Sequence, residues 1–284
     1  MAWTSVSSAA PGHGNEDHVA VFEQDRMTDI VVLDGATSVA QQNYIDRDGG
    51  DVAWFVRRFG SAFGRALAGR SSQEQAVRTA VDAVRADFED RTAGLAVPMH
   101  AWPVAAMTWV RIMPMGATAE LIVYCLGDCK TLLLGADGSV RDLDPWVNPQ
   151  EALLQEAIAG LVREGVADPA LRRERLLPML RRRREEQNMA PAPQSLCLAP
   201  AGPFAARRYA VRVERGATLL VMTDGFYRLV DAYGLYTDAG LLRACAEGRL
   251  EQLLGELREH ERTSGGAGLA VKQADDASAV AWHF

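Results

Sequence analysis

Acidic residues stand where short apolar runs of the sequence begin or end. Six carboxylates occupy such positions: Glu16, Asp17, Asp34, Asp224, Asp275 and Asp276. A carboxylate at a strand end is held by a rigid backbone while its head stays open to a cleft. Several carboxylates that converge on one cleft repel one another unless a cation lies between them. The pattern therefore predicts a site for a hard divalent cation.

The types of ligand narrow the choice of cation. Oxygen ligands favour Mg²⁺ or Mn²⁺, whereas zinc usually recruits histidine or cysteine. The five histidines of this chain have no metal-ligand spacing. Two hard cations held close together lower the pKa of a shared water and neutralise charge on a phosphoryl group. Such a site would hydrolyse a phosphate monoester without a nucleophilic side chain, and the sequence contains no nucleophile motif.

Two groups of predicted strands, separated by helices, must position these acids. Apolar, β-branched runs predict strands at 18–22, 29–33, 104–113, 120–126, 131–134, 209–213, 218–222 and 277–282. Helical spacing predicts helices at 51–67, 72–88, 149–188, 238–247 and 250–260. Ser71 or Ser72 is the expected N-cap of the second helix. We expect the first two strands to be antiparallel neighbours.

Five short motifs follow one another along nearly the whole chain. They are Asn15-Glu16-Asp17, Val32-Leu33-Asp34-Gly35, Leu126-Gly127-Asp128-Cys129-Lys130, Leu220-Val221-Met222-Thr223-Asp224-Gly225 and Asp275-Asp276-Ala277-Ser278. In this order they resemble the NED, DG, GDSR, SDG and DN motifs of the PP2C family of metal-dependent Ser/Thr protein phosphatases. Each motif alone is weak, because Asp-Gly pairs are common in turns. Their shared order and strand context make the resemblance specific.

The resemblance implies an α+β fold, an αββα sandwich of two antiparallel β-sheets with helices on both outer faces. Residues 1–284 would form a single domain of this kind. A charged helical segment at about 149–193 corresponds to the flap-like insertion that the family carries beside its active site.

The resemblance also implies a set of metal ligands at one end of the sandwich. Four side chains would bind the ions directly: Asp17, Asp34, Asp224 and Asp275. The Gly35 carbonyl would be a further ligand, and Glu16 would act through water or through a neighbouring ligand. Asp128 would help to hold a third, weaker ion, as in bacterial relatives. Asp276 could be only a turn or capping residue.

The function implied is the hydrolysis of phosphoserine and phosphothreonine in proteins, with two Mg²⁺ or Mn²⁺ ions and an attacking water between them. The partners would be phosphorylated proteins, among them a Ser/Thr kinase or its targets. Two alternatives remain open: a catalytically weak or inactive module that binds phosphoproteins, and a phosphatase for small phosphorylated molecules.

Two departures from the family pattern bear on phosphate binding. The arginine usually found five residues before the NED aspartate is replaced by Gly12, and the acid usually found four residues after the SDG aspartate is Arg228. Arg228 could bring a replacement guanidinium to the substrate phosphate. His13 or His18 could protonate the leaving alkoxide, or either could be a surface or structural histidine.

Composition excludes some other classes of function. The formal charge of −7 argues against non-specific nucleic-acid binding. No apolar run is long enough to span a bilayer and no secretory signal is visible, so we expect a cytoplasmic protein. The four cysteines are too sparse for a disulfide framework. The arginine cluster at Arg181–Arg184 is either a solvated helix face or a surface for a partner.

Overall fold

The computed structural model describes residues 2–12, 14–24, 27–69, 72–263 and 274–284. Within these ranges the strands are β1 (Ala2–Ser8), β2 (Asp17–Gln24), β3 (Met27–Gly35), β4 (Val104–Met115), β5 (Thr118–Leu126), β6 (Lys130–Leu134), β7 (Val140–Asp142), β8 (Leu196–Cys197), β9 (Arg207–Glu214), β10 (Thr218–Met222) and β11 (Ala277–His283). The α-helices are α1 (Asp51–Leu67), α2 (Gln73–Arg91), α3 (Pro149–Arg163), α4 (Pro169–Met189), α5 (Asp224–Tyr227), α6 (Asp238–Ala246) and α7 (Leu250–Thr263).

The strands form two sheets whose paired strands are all antiparallel. One sheet has the order β1-β11-β10-β6-β7, and the other has the order β2-β3-β4-β5-β9 with β8 beside β4. The predicted pairing of the first two strands is confirmed, because β2 and β3 pair along their whole length.

Three apolar layers hold the sheets and helices together. The first lies between α1, α2 and the β3-β4-β5 surface, where Phe63 meets Trp109 edge-on at 4.8 Å between ring centroids. The second lies between the two sheets and includes Val110 and Trp282. The third lies between the other sheet and helices α6 and α7. The αββα sandwich predicted from the motifs is therefore confirmed.

Alternation of side chains along β3 explains how one strand serves two layers. Val31 and Leu33 face the helices, whereas Ile30 and Val32 face the opposite sheet. Because both faces of the strand are covered, its sequence is a continuous apolar run that ends at Asp34. The strand thus places the Asp34 carboxylate at the end of the sandwich.

The structure differs from the predicted elements in several places. Strand β1 was not predicted, because its residues are mostly exposed and are ordered by seven paired positions with β11. The single helix predicted at 149–188 is two helices, separated where Gly165 adopts a φ of +84° and Asp168 caps α4 ahead of Pro169. Ser72 is the N-cap of α2, in a capping box with Gln75, and Ser71 lies outside the described residues.

Across the described ranges, none of the helices combines the length and apolarity that a bilayer crossing requires. Cys125, Cys129, Cys197 and Cys245 are buried and unpaired.

Candidate functional site

Asp17 and Asp34 meet across the first strand pair. Asp17 begins β2 and lies directly opposite Asp34, which is near the end of β3. The register follows from the β2-β3 hairpin, and a slip of one residue would turn every side chain of the strand to its other face.

Thr223 and Asp224 join this pair from the other sheet. The Thr223 hydroxyl donates a hydrogen bond to Asp17 Oδ2 over 2.9 Å. The Asp224 backbone N–H lies 3.4 Å from Asp34 Oδ2. Acids separated by about two hundred positions in sequence therefore meet where the two sheets end together.

Two glycines allow this close approach of the chain. A Cβ at Gly35 would lie 2.5 Å from the Glu16 carbonyl oxygen, and a Cβ at Gly225 would lie 1.9 Å from the Asp276 carbonyl oxygen. Real Cβ atoms are not found at such distances, so packing requires the glycine of each Asp-Gly pair.

Asp276 ties the last strand to the segment before β2. Its two carboxylate oxygens accept hydrogen bonds from the backbone N–H groups of Ala10 and Glu16, over 2.7 and 2.6 Å. Asp275 has a different environment, because its carbonyl oxygen accepts a hydrogen bond from Arg258 Nη1 over 2.8 Å. Asp276 thus serves as a capping residue, and Asp275 is placed among the other acids by the same segment.

Asp128 approaches from the turn between β5 and β6. Its Oδ2 accepts a hydrogen bond of 2.8 Å from the side-chain amide of Asn148, the N-cap of α3. The turn is supported from below by Arg207, which donates to the Gly127 carbonyl and forms a 2.6 Å ion pair with the buried Asp144.

Burial and the charges of neighbouring acids raise the pKa values of Asp17, Asp34 and Asp224. Burial, followed by the charges of Asp224, Asp17, Asp128 and Asp275, raises the pKa of Asp34 well above its usual range. Burial is also the largest cause for Asp17, whose pKa rises to about 8. Asp224 reaches solvent at the mouth of the cleft, yet the surrounding protein and the neighbouring charges raise its pKa to about 6. Five acids therefore share one electrostatic environment.

The side-chain positions themselves do not form a coordination shell. Among the residues that the structure describes, no group of three or more His, Cys, Asp or Glu side chains has the spacing to hold a metal ion directly. The donor set, however, consists of oxygens that repel one another, which fits Mg²⁺ or Mn²⁺. Metal binding by Asp17, Asp34, Asp224, Asp275 and the Gly35 carbonyl stays a prediction.

Glu16 forms hydrogen bonds with the end of β3 and with the loop that follows it. Its Oε2 accepts a hydrogen bond from the Thr37 hydroxyl over 3.0 Å, and its carbonyl oxygen accepts from the Gly35 N–H. Glu16 therefore braces the loop that follows Asp34.

Of the two candidate histidines, the structure describes His18. His13 lies outside the described residues. His18 packs against Gly60 of α1, where an added Cβ would lie 2.4 Å from its Nε2, and burial lowers its pKa. The structural interpretation of His18 fits this position.

Arg228 lies one turn after Asp224, at the end of α5. Its Nη1 is 3.9 Å from Oε1 of the buried Glu261, and its charge lowers the pKa of Asp224 against the effect of the other acids. A direct contact between Arg228 and a substrate phosphate stays a prediction.

Of the two interpretations of the arginine cluster, the solvated helix face is wrong for two of its members. Arg184 is 7% exposed and donates to the carbonyl oxygens of Ala36 and Thr37, at 3.2 Å each. Arg181 donates to the Val39 carbonyl oxygen over 2.9 Å. Helix α4 is therefore fastened to the loop that follows Asp34, and Arg182 keeps a solvated position with a side chain 74% exposed.

Sequence reasoning missed three residues that shape the site: Thr223, Asn148 and Arg184. Thr223 belongs to the motif in which Asp224 is the predicted metal ligand. Asn148 is readable as a helix cap before Pro149, but its second hydrogen bond depends on tertiary structure. Arg184 is concealed in a run of four identical residues.

Comparisons with solved structures find this fold in proteins that include a PP2C phosphatase domain. No protein-family model matches the chain, and no curated protein matches it in sequence. The catalytic domain of the serine/threonine phosphatase PstP, solved with two manganese ions, is 16% identical with a TM-score of 0.51, over 99% of this chain and 96% of that one. RsbX, solved with magnesium, is 11% identical with a TM-score of 0.54, over 98% and 92% of the two chains. The PP2C phosphatase domain of SpoIIE from Bacillus subtilis is 12% identical with a TM-score of 0.54, over 98% of this chain and 62% of that one.

These likenesses confirm the predicted resemblance at the level of the fold. The chain has the fold of bacterial PP2C-type phosphatases, over almost its whole length.

Proposed function

We propose that this protein is a metal-dependent phosphatase that hydrolyses phosphoserine or phosphothreonine in proteins. The observation that supports it most is the convergence of Asp17, Asp34 and Asp224, with Asp128 and Asp275, on one end of a PP2C-type sandwich. The chain 1–284 would act as one PP2C-like domain, with α3 and α4 as its flap-like insertion at about 149–193. Its partners would be phosphorylated proteins in the cytoplasm, including a Ser/Thr kinase or its targets.

The chain's own residues would prepare the cleft for chemistry. Asp17, Asp34, Asp224, Asp275 and the Gly35 carbonyl would hold two Mg²⁺ or Mn²⁺ ions, and Asp128 would hold a third, weaker one. When bound, the ions would supply a water acidified for attack on phosphorus and would neutralise charge on the phosphoryl oxygens. Thr223 orients the Asp17 carboxylate, and Glu16 and Asp276 fix the backbone around it.

The hydrolysis of p-nitrophenyl phosphate and of a phosphothreonine peptide with Mn²⁺ tests this function. We expect turnover in the wild type and a loss of at least about a hundredfold in Asp34→Ala and Asp224→Ala, because each removes an anchor of the cation site. Asp82→Asn on the outer face of α2 removes a carboxylate that is 62% exposed and should keep wild-type activity. An undetectable rate in the wild type, unchanged in both variants, would refute the enzymatic function.

A second function, a phosphoprotein-binding module with little or no turnover, is favoured by two observations. Gly12 stands in place of the family's arginine, and Arg228 stands in place of the family's acid. Calorimetry discriminates between the two, because Mn²⁺ and phosphopeptide binding without hydrolysis would support the module. A panel of small phosphorylated molecules tests the third alternative, a small-molecule phosphatase.

A further inference from the structure

The insertion formed by α3 and α4 reaches the acidic cleft at both of its ends. Asn148 at the start of α3 binds Asp128 over 2.8 Å. Arg184 near the end of α4 binds the backbone just after Gly35. The insertion therefore borders the cleft from Asp128 to the loop at 36–39.

Helical geometry places Arg183 on this border. Helices α3 and α4 pack against each other and are joined by a short turn. Asn148 lies 16 residues before Glu164, the C-cap of α3, and Arg183 lies 15 residues after Asp168, the N-cap of α4. At a rise of about 1.5 Å per residue in each helix, the two residues are at the same end of the pair. Arg183 is thus level with the residue that binds Asp128.

Arg183 differs from the neighbouring arginines in having no partner. Arg181 and Arg184 bind backbone carbonyls, and Arg182 lies 3.9 Å from Glu186. Arg183 makes no hydrogen bond or ion pair with any residue in the described part of the chain. It is half-buried, and burial lowers its pKa while Glu151 and Asp128 act in the opposite direction. A guanidinium that is partly withdrawn from water and has no described protein partner can bind an anionic ligand.

The cleft lacks the arginine that the family pattern places five residues before the NED aspartate. Even with cations held among the acids, a guanidinium would give the phosphate oxygens directed hydrogen bonds, and Gly12 provides none. Arg228, the arginine suggested by the sequence, is paired with Glu261 over 3.9 Å. Arg183 is level with Asn148, which binds Asp128, and makes no hydrogen bond or ion pair within the described ranges.

We propose that Arg183 is a substrate-binding residue whose guanidinium binds the phosphate oxygens of a phosphorylated protein side chain. The proposal rests on the phosphatase function above. It assigns to the insertion the phosphate contact that the segment before β2 lacks. A planar guanidinium suits this task because it binds two phosphate oxygens at once.

The test compares Arg183→Ala, Arg183→Lys and Arg182→Ala with the wild type. Steady-state kinetics on a phosphothreonine peptide, inhibition by inorganic phosphate and calorimetric Mn²⁺ binding are measured for each. For Arg183→Ala we expect KM and the phosphate inhibition constant to rise about tenfold or more, with Mn²⁺ affinity unchanged. Arg183→Lys should recover part of the loss, and Arg182→Ala should stay within about twofold of the wild type.

The outcomes separate this proposal from the proposed function. If the wild type is active and Arg183→Ala behaves like Arg182→Ala, the role of Arg183 is wrong while the phosphatase stands. If the wild type binds phosphopeptide without turnover, a loss of that binding in Arg183→Ala alone supports the role of Arg183, and equal binding overturns it. If the wild type neither hydrolyses nor binds the phosphopeptide, both proposals fail.

Discussion

The fold holds Asp17, Asp34 and Asp224 close together although their negative charges repel one another. Each would be easier to bury as a neutral acid, and the raised pKa values of all three express that preference. A divalent cation would offset this repulsion with its own positive charge, and its binding would release the protons that the acids hold. The same residues therefore couple folding, pH and metal binding.

The pKa of Asp17 predicts how pH acts on the metal-free protein. Its folded pKa of about 8 exceeds the ordinary value of 3.8 for an aspartate, so between these values the folded state holds more protons than the unfolded chain. The free energy of unfolding should therefore decrease as pH rises through this window, by up to about 1.4 kcal/mol per pH unit for one proton. Urea unfolding with chelator at pH 5, 6, 7 and 8 measures this slope.

Asp17→Asn provides the comparison, because all other titrating groups stay in place. In Asp17→Asn, the part of the decrease in unfolding free energy that comes from Asp17 should be absent. The difference in unfolding free energy between variant and wild type should therefore grow as pH rises. A difference that stays constant from pH 5 to pH 8 would contradict the raised pKa.

At the scale of elements, the site depends on close contact between segments that are distant in sequence. The turn into α5 passes the segment before β11 at Gly225, and α4 lies on the loop after β3 through Arg184. Each contact involves backbone carbonyl oxygens, which Gly225 approaches in one case and the Arg184 side chain binds in the other, so the contacts control where the acids stand without contributing a ligand.

Gly225→Ala should disrupt the first contact. The new Cβ would lie 1.9 Å from the Asp276 carbonyl oxygen, which forces the two segments apart. We expect a destabilisation of about 1–3 kcal/mol and a weakened Mn²⁺ affinity, measured by urea unfolding and calorimetry. Gly255→Ala in α7 is the control, since its Cβ meets nothing within 4 Å and should be neutral or stabilising by up to about 1 kcal/mol. Equal stability of the two variants would show that the close approach is absent.

Arg184→Ala should release α4 from the loop at 36–39. The side chain is buried and donates to two carbonyl oxygens, so its removal leaves them without these donors. We expect faster amide hydrogen exchange in α3, α4 and the loop, with the α1 and α2 amides unchanged. Arg182→Ala should leave exchange as in the wild type, and protection that is equal in both variants would contradict the fastening of α4.

At the scale of the whole molecule, the fold and the acids of the cleft could be predicted from the sequence. The residues that hold these acids in position could not. The apolar run of β3 and the Asp-Gly pairs predict where carboxylates emerge, because strand ends and turns are local features. Strand β1 has a polar, exposed sequence and owes its structure to pairing with β11. Asn148, Thr223 and Arg184 carry ordinary local signals, and their partners lie 20 or more positions away.

The central claim is that this end of the sandwich holds divalent cations between acids from both sheets. Anomalous diffraction from crystals soaked in Mn²⁺ tests it most directly. We predict two anomalous peaks in the cleft, each within about 2.5 Å of carboxylate oxygens from Asp17, Asp34 or Asp224, and their loss in Asp34→Ala crystals. A cleft without an anomalous peak at saturating Mn²⁺ would contradict the account.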